Sequence, residues 1–93
     1  MAGTERTARQ VTVSGQVQGV GFRYHCLHEA ERLGVHGWVR NEPDGTVAGH
    51  FEGTSDAVAA LVDWCRVGPS YARVEGVDTS PAEPTGAVTF TAG

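Results

Sequence analysis

Apolar and polar residues alternate along several segments of the chain, and this alternation predicts β-strands. Val11 and Val13 alternate with polar neighbours in residues 9–14, as expected for a strand with one buried face. Residues 35–41 and 46–52 predict two further strands. The Asn-Glu-Pro-Asp-Gly run between them is rich in turn-forming residues, so the two strands are expected to form a β-hairpin.

Two more strands are predicted near the end of the chain. Residues 72–78 contain Val74 and Val77, whose three-residue spacing breaks strict alternation and indicates a β-bulge or an early strand end. Residues 81–86 hold two prolines and a glycine, which is typical of a loop. Residues 87–91 alternate again and predict a short last strand.

Two segments carry apolar residues at the spacing of an α-helix. The first is Phe22–Leu33, and Gly34 follows where a helix commonly ends. The second begins at Thr54-Ser55-Asp56, whose side chains can accept hydrogen bonds from the first N–H groups of a helix, and it ends at Gly68-Pro69. The apolar stripes are Phe22, Cys26, Leu27, Ala30 and Leu33 in the first helix and Val58, Leu61, Val62 and Cys65 in the second.

The predicted order of these elements is β-α-β-β-α-β followed by a terminal strand. This order predicts an α+β fold of the ferredoxin-like type, a sandwich in which two helices cover one face of an antiparallel sheet, with a short C-terminal strand. In the third strand, Val47, Gly49 and Phe51 share one face. We expect residues 1–8 to be a flexible lead-in and residues 9–93 to form a single domain.

The charge balance narrows the classes of partner. Eleven acidic residues face seven basic ones, all of them arginine, and the net charge is −4. Nucleic-acid binding depends on a basic surface, so a nucleic-acid partner is not expected. We find neither a signal peptide nor a membrane-length apolar stretch, which predicts a cytoplasmic protein with no membrane partner. Cys26 and Cys65 lie in the apolar stripes and are interpreted as buried reduced thiols, with a disulfide or a reactive thiol left as alternatives.

The run Gly-Gln-Val-Gln-Gly-Val-Gly-Phe-Arg at 15–23 lies where the first strand gives way to the first helix. Glycines allow a tight turn, the N–H groups that open a helix attract anions, and Arg23 adds a fork of donors matched to phosphate oxygens. A turn built from glycine for geometry alone is the alternative. The run matches neither a dinucleotide-binding fingerprint nor a Walker loop, which requires lysine before serine or threonine.

Together with Gly-Trp-Val-Arg-Asn at 37–41 and Asp-Gly at 44–45, this run resembles the two signature blocks of the acylphosphatase family. The likeness extends through Gly53, Gly68-Pro69 and the Ala-Arg-Val strand at 72–74, and therefore covers nearly the whole chain from about Arg9 to Phe90. The tail is short and weakly apolar where relatives often have a stronger closing strand. The pairing of the last strand therefore stays open.

The resemblance implies a hydrolase that cleaves acyl phosphates to a carboxylate and inorganic phosphate. It assigns Arg23 to binding and neutralising the phosphoryl group, and Asn41 to placing the attacking water. The backbone N–H groups that share the work of Arg23 are those of Gln16, Val17, Gln18, Gly19, Val20 and Gly21. A carboxylate leaves without a general acid, because its pKa is about 4. We therefore expect a monomeric enzyme that needs no metal or cofactor; the natural acyl group is not specified.

Several side chains have other interpretations. Asn41 opens a turn and could serve only as an Asx-turn residue. Strand alternation places Arg40 on the opposite face from Asn41, so Arg40 is interpreted as solvated. His25 and His28 are weak candidates for zinc ligands, and Cys26 for a catalytic thiol, because Cys26 lies in the apolar stripe while His25 points away from it. Trp38 and Trp64 are interpreted as packing residues.

Two other functions remain open at this point. One is a non-catalytic module that binds phosphate or another anion, because the ferredoxin-like fold hosts many unrelated activities. A water-positioning amide at Asn41 would favour the enzyme over this module. The other is a part of a larger enzyme that handles carbamoyl phosphate, which we do not expect because the sequence has no continuation after Gly93.

Overall fold

A computed structural model describes residues 6–93. Five strands and two helices follow one another in the predicted order, which confirms the ferredoxin-like arrangement. Their bounds are β1 Arg6–Gln16, α1 Phe22–Leu33, β2 His36–Asn41, β3 Val47–Thr54, α2 Ser55–Val67, β4 Arg73–Ala82 and β5 Phe90–Ala92.

The strands form one sheet in the order β4-β1-β3-β2-β5. The four longer strands pair antiparallel, as predicted. Strand β5 pairs with β2 in parallel, from Gly37 opposite Phe90 to Val39 opposite Ala92, so the complete sheet is mixed. The last strand therefore does pair within the sheet, a point that the weakly apolar tail left open.

The hydrophobic core lies between the two helices and one face of the sheet. Strand residues such as Val11 and Phe51 meet helix residues such as Leu61 there, and all three are buried. Cys26 and Cys65 are buried in the same cluster with free thiols, as predicted. Of the helices within residues 6–93, none has the length and apolar character needed to cross a membrane.

Several boundaries differ from the sequence prediction. Strand β1 already begins at Arg6, because residues 6–8 pair with β3. Only residues 1–5 of the expected lead-in remain, and they lie outside the described residues. Strand β4 continues through Pro81, which an edge strand tolerates because a proline without an N–H group can face away from the ladder. The last strand begins at Phe90 instead of residue 87, and Val88 is exposed in the preceding loop.

Strand β3 departs most from the alternating pattern. Val47, Gly49 and Phe51 lie on the core face as predicted, but Ala48, His50 and Glu52 are buried as well. Strand β3 is the central strand of the sheet, and its second face is covered by other parts of the chain. The predicted bulge in β4 is present, since Ser14 pairs with Gly76 and Gly15 with Val74, so that one β4 residue has no partner.

Candidate active site

The glycine-rich loop begins where β1 passes over the β4 bulge. Gly15 has a φ of +120°, and a Cβ atom there would lie 2.2 Å from the carbonyl oxygen of Arg73. Only glycine fits such a close approach of two backbones. Gln16 is the last residue of β1 and pairs with Arg73, so the chain leaves the sheet only at Val17.

The loop ends at Gly21, the N-cap residue of α1. Gly21 adopts a left-handed conformation with φ 78° and provides no side-chain cap for the helix. The first N–H groups of a helix have no partner within the helix itself, and no acidic side chain lies in this first turn. The start of α1 is therefore suited to bind an anion.

Arg23 and Asn41 line the same cavity, although 18 positions separate them in the sequence. Arg23 comes from the first turn of α1, and Asn41 is the last residue of β2. The cavity has a volume of about 130 Å³ and is lined by Val17, Gly19, Gly21, Phe22, Arg23, Tyr24 and Asn41. The predicted cation, three loop residues and the predicted amide thus surround one small space.

The side chain of Asn41 has an unusual environment. Its Oδ1 atom is buried and has no hydrogen-bond partner among residues 6–93. The Asx-turn interpretation is wrong, because an Asx turn requires the Asn41 Oδ1 atom to accept a hydrogen bond from a nearby N–H. Asp44 instead accepts hydrogen bonds in this turn, from the Thr46 N–H at 3.0 Å and the Thr46 hydroxyl at 2.6 Å. Buried polar atoms without partners are rare in folded proteins, and they concentrate where function requires them.

Gln18 connects the loop to the hairpin that ends β2. Its Nε2 atom donates to the carbonyl oxygen of Glu42 at 2.8 Å and to that of Thr46 at 3.0 Å. The loop was expected to act only through its backbone, and the side chain of Gln18 adds a tie to the strand that carries Asn41. The side chain of Gln18 thus joins the glycine-rich loop to the hairpin turn that follows Asn41.

Arg23 also has a partner within the protein. Its Nη1 donates a hydrogen bond to the carbonyl oxygen of Gly93, which follows β5. The N–H of Gly93 in turn donates to the carbonyl oxygen of Val39 at 2.8 Å. A guanidinium has five N–H donors, so the remaining ones stay available for a ligand in the cavity.

Residues 9–92 match the sequence model of the acylphosphatase family. The chain belongs to the acylphosphatase family. An acylphosphatase from Nocardioides sp. is 58% identical over 88 residues, which are 95% of this chain and 89% of the relative. An acylphosphatase from Geotalea uraniireducens is 57% identical over 82% of this chain and 84% of its own length. A solved acylphosphatase from Coxiella burnetii superposes with a TM-score of 0.90 at 36% identity, covering 94% of this chain and 92% of that chain.

Membership in the acylphosphatase family assigns the activity. The chain hydrolyses acyl phosphates, and the alternative of a non-catalytic anion-binding module is set aside. The predicted site residues divide into two groups. Val17, Gly19, Gly21, Arg23 and Asn41 line the cavity, whereas Gln16 lies in β1, Val20 packs against the core, and Gln18 contacts the hairpin.

The other candidate residues lie in ordinary structural surroundings. Arg40 is exposed with its guanidinium 4.6 Å from the centre of the Trp38 ring, on the face predicted for it. Trp64 packs against Phe22 in the core, as expected. A hydrogen bond with the Cys65 thiol and burial raise the pKa of Cys26, which keeps this residue a neutral thiol and a poor nucleophile. Within residues 6–93, no group of three histidine, cysteine or acidic side chains has the arrangement of a metal site.

Two features of the site were not anticipated from the sequence. Tyr24 lines the cavity and is largely exposed, with its ring edge-on to those of His25 and His28 at 5.5 and 4.5 Å. Its position next to Arg23 in the first helical turn is the signal that could have indicated it. The contact of Gly93 with Arg23 depends on the parallel pairing of β5, for which the sequence gives no local signal.

Proposed function

We propose that the phosphoryl group of the substrate binds in the cavity between the glycine-rich loop and Asn41. Arg23 neutralises its charge, together with backbone N–H groups of residues 16–21 and the start of α1. The single observation that carries this proposal is the shared cavity of Arg23 and Asn41. A guanidinium and a set of N–H donors form a positive concavity of the kind that binds and stabilises transferring phosphoryl groups.

Asn41 places the attacking water in line with the bond that breaks. An amide can both donate to a water and accept a hydrogen bond from it. Asn41 lines the cavity, and its Oδ1 atom has no hydrogen-bond partner within residues 6–93, so this acceptor is not used inside the described fold. The water adds to phosphorus, the bond from phosphorus to the acyl oxygen breaks, and the carboxylate leaves with its electron pair. The protons of the water pass to the phosphate product or to the solvent.

The reaction requires little acid–base chemistry from the protein. Because a carboxylate is a weak base with a pKa of about 4, it departs unprotonated at neutral pH. The protein then has to position the reactants and stabilise charge, which account for most of the catalysis of phosphoryl transfer. We propose that no metal or cofactor takes part.

The remaining expectations concern partners and location. We propose a monomeric cytoplasmic enzyme that does not bind nucleic acid. The net charge of −4 supports the last point, since a phosphate backbone would be repelled by most of the surface.

The decisive experiment is an acyl phosphate assay with matched arginine variants. Benzoyl phosphate should be hydrolysed without added metal and equally in the presence of EDTA. Arg23→Ala should lower turnover by about 10²-fold or more, by analogy with removal of a preorganised oxyanion donor. Arg32→Ala serves as the control, because Arg32 lies on the same helix but is exposed and paired with Glu29. An equal loss in both variants, or no loss in Arg23→Ala, would refute the assignment.

A further inference from the structure

The cavity that Arg23 shares with Asn41 leaves little room for the acyl part of a substrate. Its volume is about 130 Å³. Pockets that enclose a drug-sized organic ligand have volumes of about 300–1,000 Å³. The phosphoryl group and the attacking water therefore fill most of this space, and an acyl group larger than a few atoms extends past the mouth of the cavity. The residue that meets the acyl group there influences which acyl phosphates are preferred.

Tyr24 is the exposed side chain at this mouth. Three of the residues that line the cavity are exposed, namely Gly19, Gly21 and Tyr24. The two glycines have no side chain, whereas the Tyr24 side chain is aromatic and the residue is 61% exposed. An aromatic ring with a free surface of this extent can pack against an apolar or aromatic group of a ligand.

The direction of the reaction places the acyl group near the same residue. In the proposed function Asn41 holds the water, and the leaving carboxylate departs from the opposite side of phosphorus because the attacking and leaving oxygens lie roughly in line. Asn41 is contributed by β2, whereas the other residues that line the cavity come from the glycine-rich loop and α1. The acyl group is therefore expected to leave toward the wall formed by the loop and α1, where Tyr24 is the exposed side chain.

Two neighbouring rings hold the ring of Tyr24 in place. It lies edge-on to His28 with the ring centres 4.5 Å apart, and edge-on to His25 with the centres 5.5 Å apart. His25 itself lies beside Gly21, since a Cβ atom at Gly21 would be 3.4 Å from His25 Cδ2. These contacts restrict the Tyr24 ring, so it loses less freedom when an acyl group packs against it.

We propose that Tyr24 is a specificity-determining residue that contacts the acyl group of the substrate. It favours acyl phosphates with an aromatic or large apolar acyl group over those with a small one such as acetyl, which is too short to cover the ring. This inference rests on the proposed phosphoryl site and adds the acyl side to it. Because Tyr24 contacts the acyl group and not the phosphoryl group, its replacement should alter substrate preference without altering phosphate binding.

The test compares kcat/KM for benzoyl phosphate and acetyl phosphate in wild type, Tyr24→Phe and Tyr24→Ala. Tyr24→Ala should lower kcat/KM about three- to tenfold for benzoyl phosphate, which corresponds to the loss of one aromatic contact, and less than about twofold for acetyl phosphate. Tyr24→Phe should keep the wild-type ratio of the two values, because the ring is retained. The Ki for inorganic phosphate should be the same in all three proteins.

Tyr71→Ala is the matched control. Tyr71 is also largely exposed, but it lies between α2 and β4 and does not line this cavity. Its replacement should leave both kcat/KM values unchanged, and the same change of ratio as in Tyr24→Ala would refute the assignment. Thermal unfolding of each variant checks its stability, which should differ little from wild type because both tyrosines lie on the surface.

Three further results would overturn the proposal. An unchanged ratio in Tyr24→Ala would mean that the ring does not contact the acyl group. Equal losses with both substrates would mean that Tyr24 acts on the phosphoryl site. A loss in Tyr24→Phe as large as in Tyr24→Ala would assign the effect to the hydroxyl group instead of the ring.

Failure of the proposed function would have a different signature. Arg23→Ala would then hydrolyse acetyl phosphate as fast as wild type does, and the Ki for phosphate would be unchanged in that variant. A failed inference about Tyr24 would leave the loss of activity in Arg23→Ala intact and would be seen only in the variants of Tyr24.

Discussion

Buried polar atoms at the two ends of the β2–β3 hairpin differ in whether they have hydrogen-bond partners. At one end, Asn41 lines a cavity and has a buried oxygen without a hydrogen-bond partner among residues 6–93. At the other end, both oxygens of the equally inaccessible Glu52 carboxylate accept hydrogen bonds from the backbone and from side chains. A satisfied polar group stabilises the fold, whereas an unsatisfied one costs stability and is retained where a ligand binds.

The surrounding backbone shows the same contrast. Near Asn41, the loop residues Gly15, Gly19 and Gly21 have positive φ angles, and Gly19 and Gly21 line the cavity. Near Glu52, the irregular residues 85–87 donate their N–H groups to the carboxylate. An irregular loop conformation alone therefore does not indicate a ligand-binding site. What distinguishes the candidate site within residues 6–93 is the buried Oδ1 atom of Asn41, which has no internal hydrogen-bond partner, in a residue that shares a cavity with Arg23.

The largest expected effect is a difference in the free energy of unfolding between variants at the two ends of the β2–β3 hairpin. Glu52→Ala should lower the free energy of unfolding by about 3 kcal/mol or more, because it leaves the N–H groups of residues 85–87 without their acceptor and removes the partner of the partly exposed Arg6. Asn41→Ala should change it by less than about 0.5 kcal/mol, since no internal hydrogen bond of its Oδ1 is lost. Urea unfolding of both variants measures the difference. Equal losses of unfolding free energy in the two variants would contradict the proposed difference between Glu52 and Asn41.

The second prediction concerns turnover. Asn41→Ala should lower kcat for an acyl phosphate by about 10²-fold, because a misplaced nucleophile costs that much in enzymes that depend on positioning. The KM should change little if the amide contacts the water and not the phosphoryl group. A variant that lost affinity but kept kcat would show that Asn41 binds the substrate instead.

A smaller effect is expected from the tie between the two walls of the cavity. Gln18→Ala removes the two hydrogen bonds to Glu42 and Thr46 and should raise the Ki for phosphate about tenfold, which corresponds to about 1.4 kcal/mol. Gln16→Ala is the control, because Gln16 lies in the same sequence run but its side chain is exposed. Similar values of Ki in the two variants would mean that the tie has no functional role.

The smallest predicted effect is the pH dependence of the contribution that Glu52 makes to the free energy of unfolding. Burial raises the pKa of Glu52, but hydrogen bonds from Thr85, His50 and Arg6 outweigh it and hold the pKa below its ordinary value of 4.5. Because the folded-state pKa is lowered, the contribution of Glu52 is complete above pH 4.5 and is lost as the pH falls through the folded-state pKa.

The difference in stability between wild type and Glu52→Gln should therefore be constant from pH 7 to about pH 5.5. It should narrow by roughly 1 kcal/mol at pH 4, where the unfolded chain already takes up the proton. Thermal unfolding of both proteins across this range measures the narrowing. A difference that widens as the pH falls would contradict the lowered pKa.

The sequence predicted the parts of the fold and site that local patterns encode. The bounds of α1 matched the observed helix because its apolar stripe and Gly34 are local signals, and the β4 bulge followed from the spacing of Val74 and Val77. The cavity residues Arg23 and Asn41 were found through the signature blocks that contain them. Tyr24 was missed, because a single aromatic residue next to Arg23 forms no distinctive sequence pattern.

Only the tertiary structure decided which polar groups are satisfied. Alternation in β3 predicts that Glu52 lies away from the core face. The loop that buries Glu52 consists of residues 85–87, which follow it in the chain by 33 to 35 positions. The pairing of β5 with β2 and the contact of Gly93 with Arg23 likewise join segments that lie far apart in the chain. Local patterns in the sequence predicted the order of the elements, the glycine-rich loop and the family. The tertiary structure determined the burial of Glu52 and the isolation of Asn41 Oδ1, because burial and hydrogen bonding depend on segments far apart in the chain.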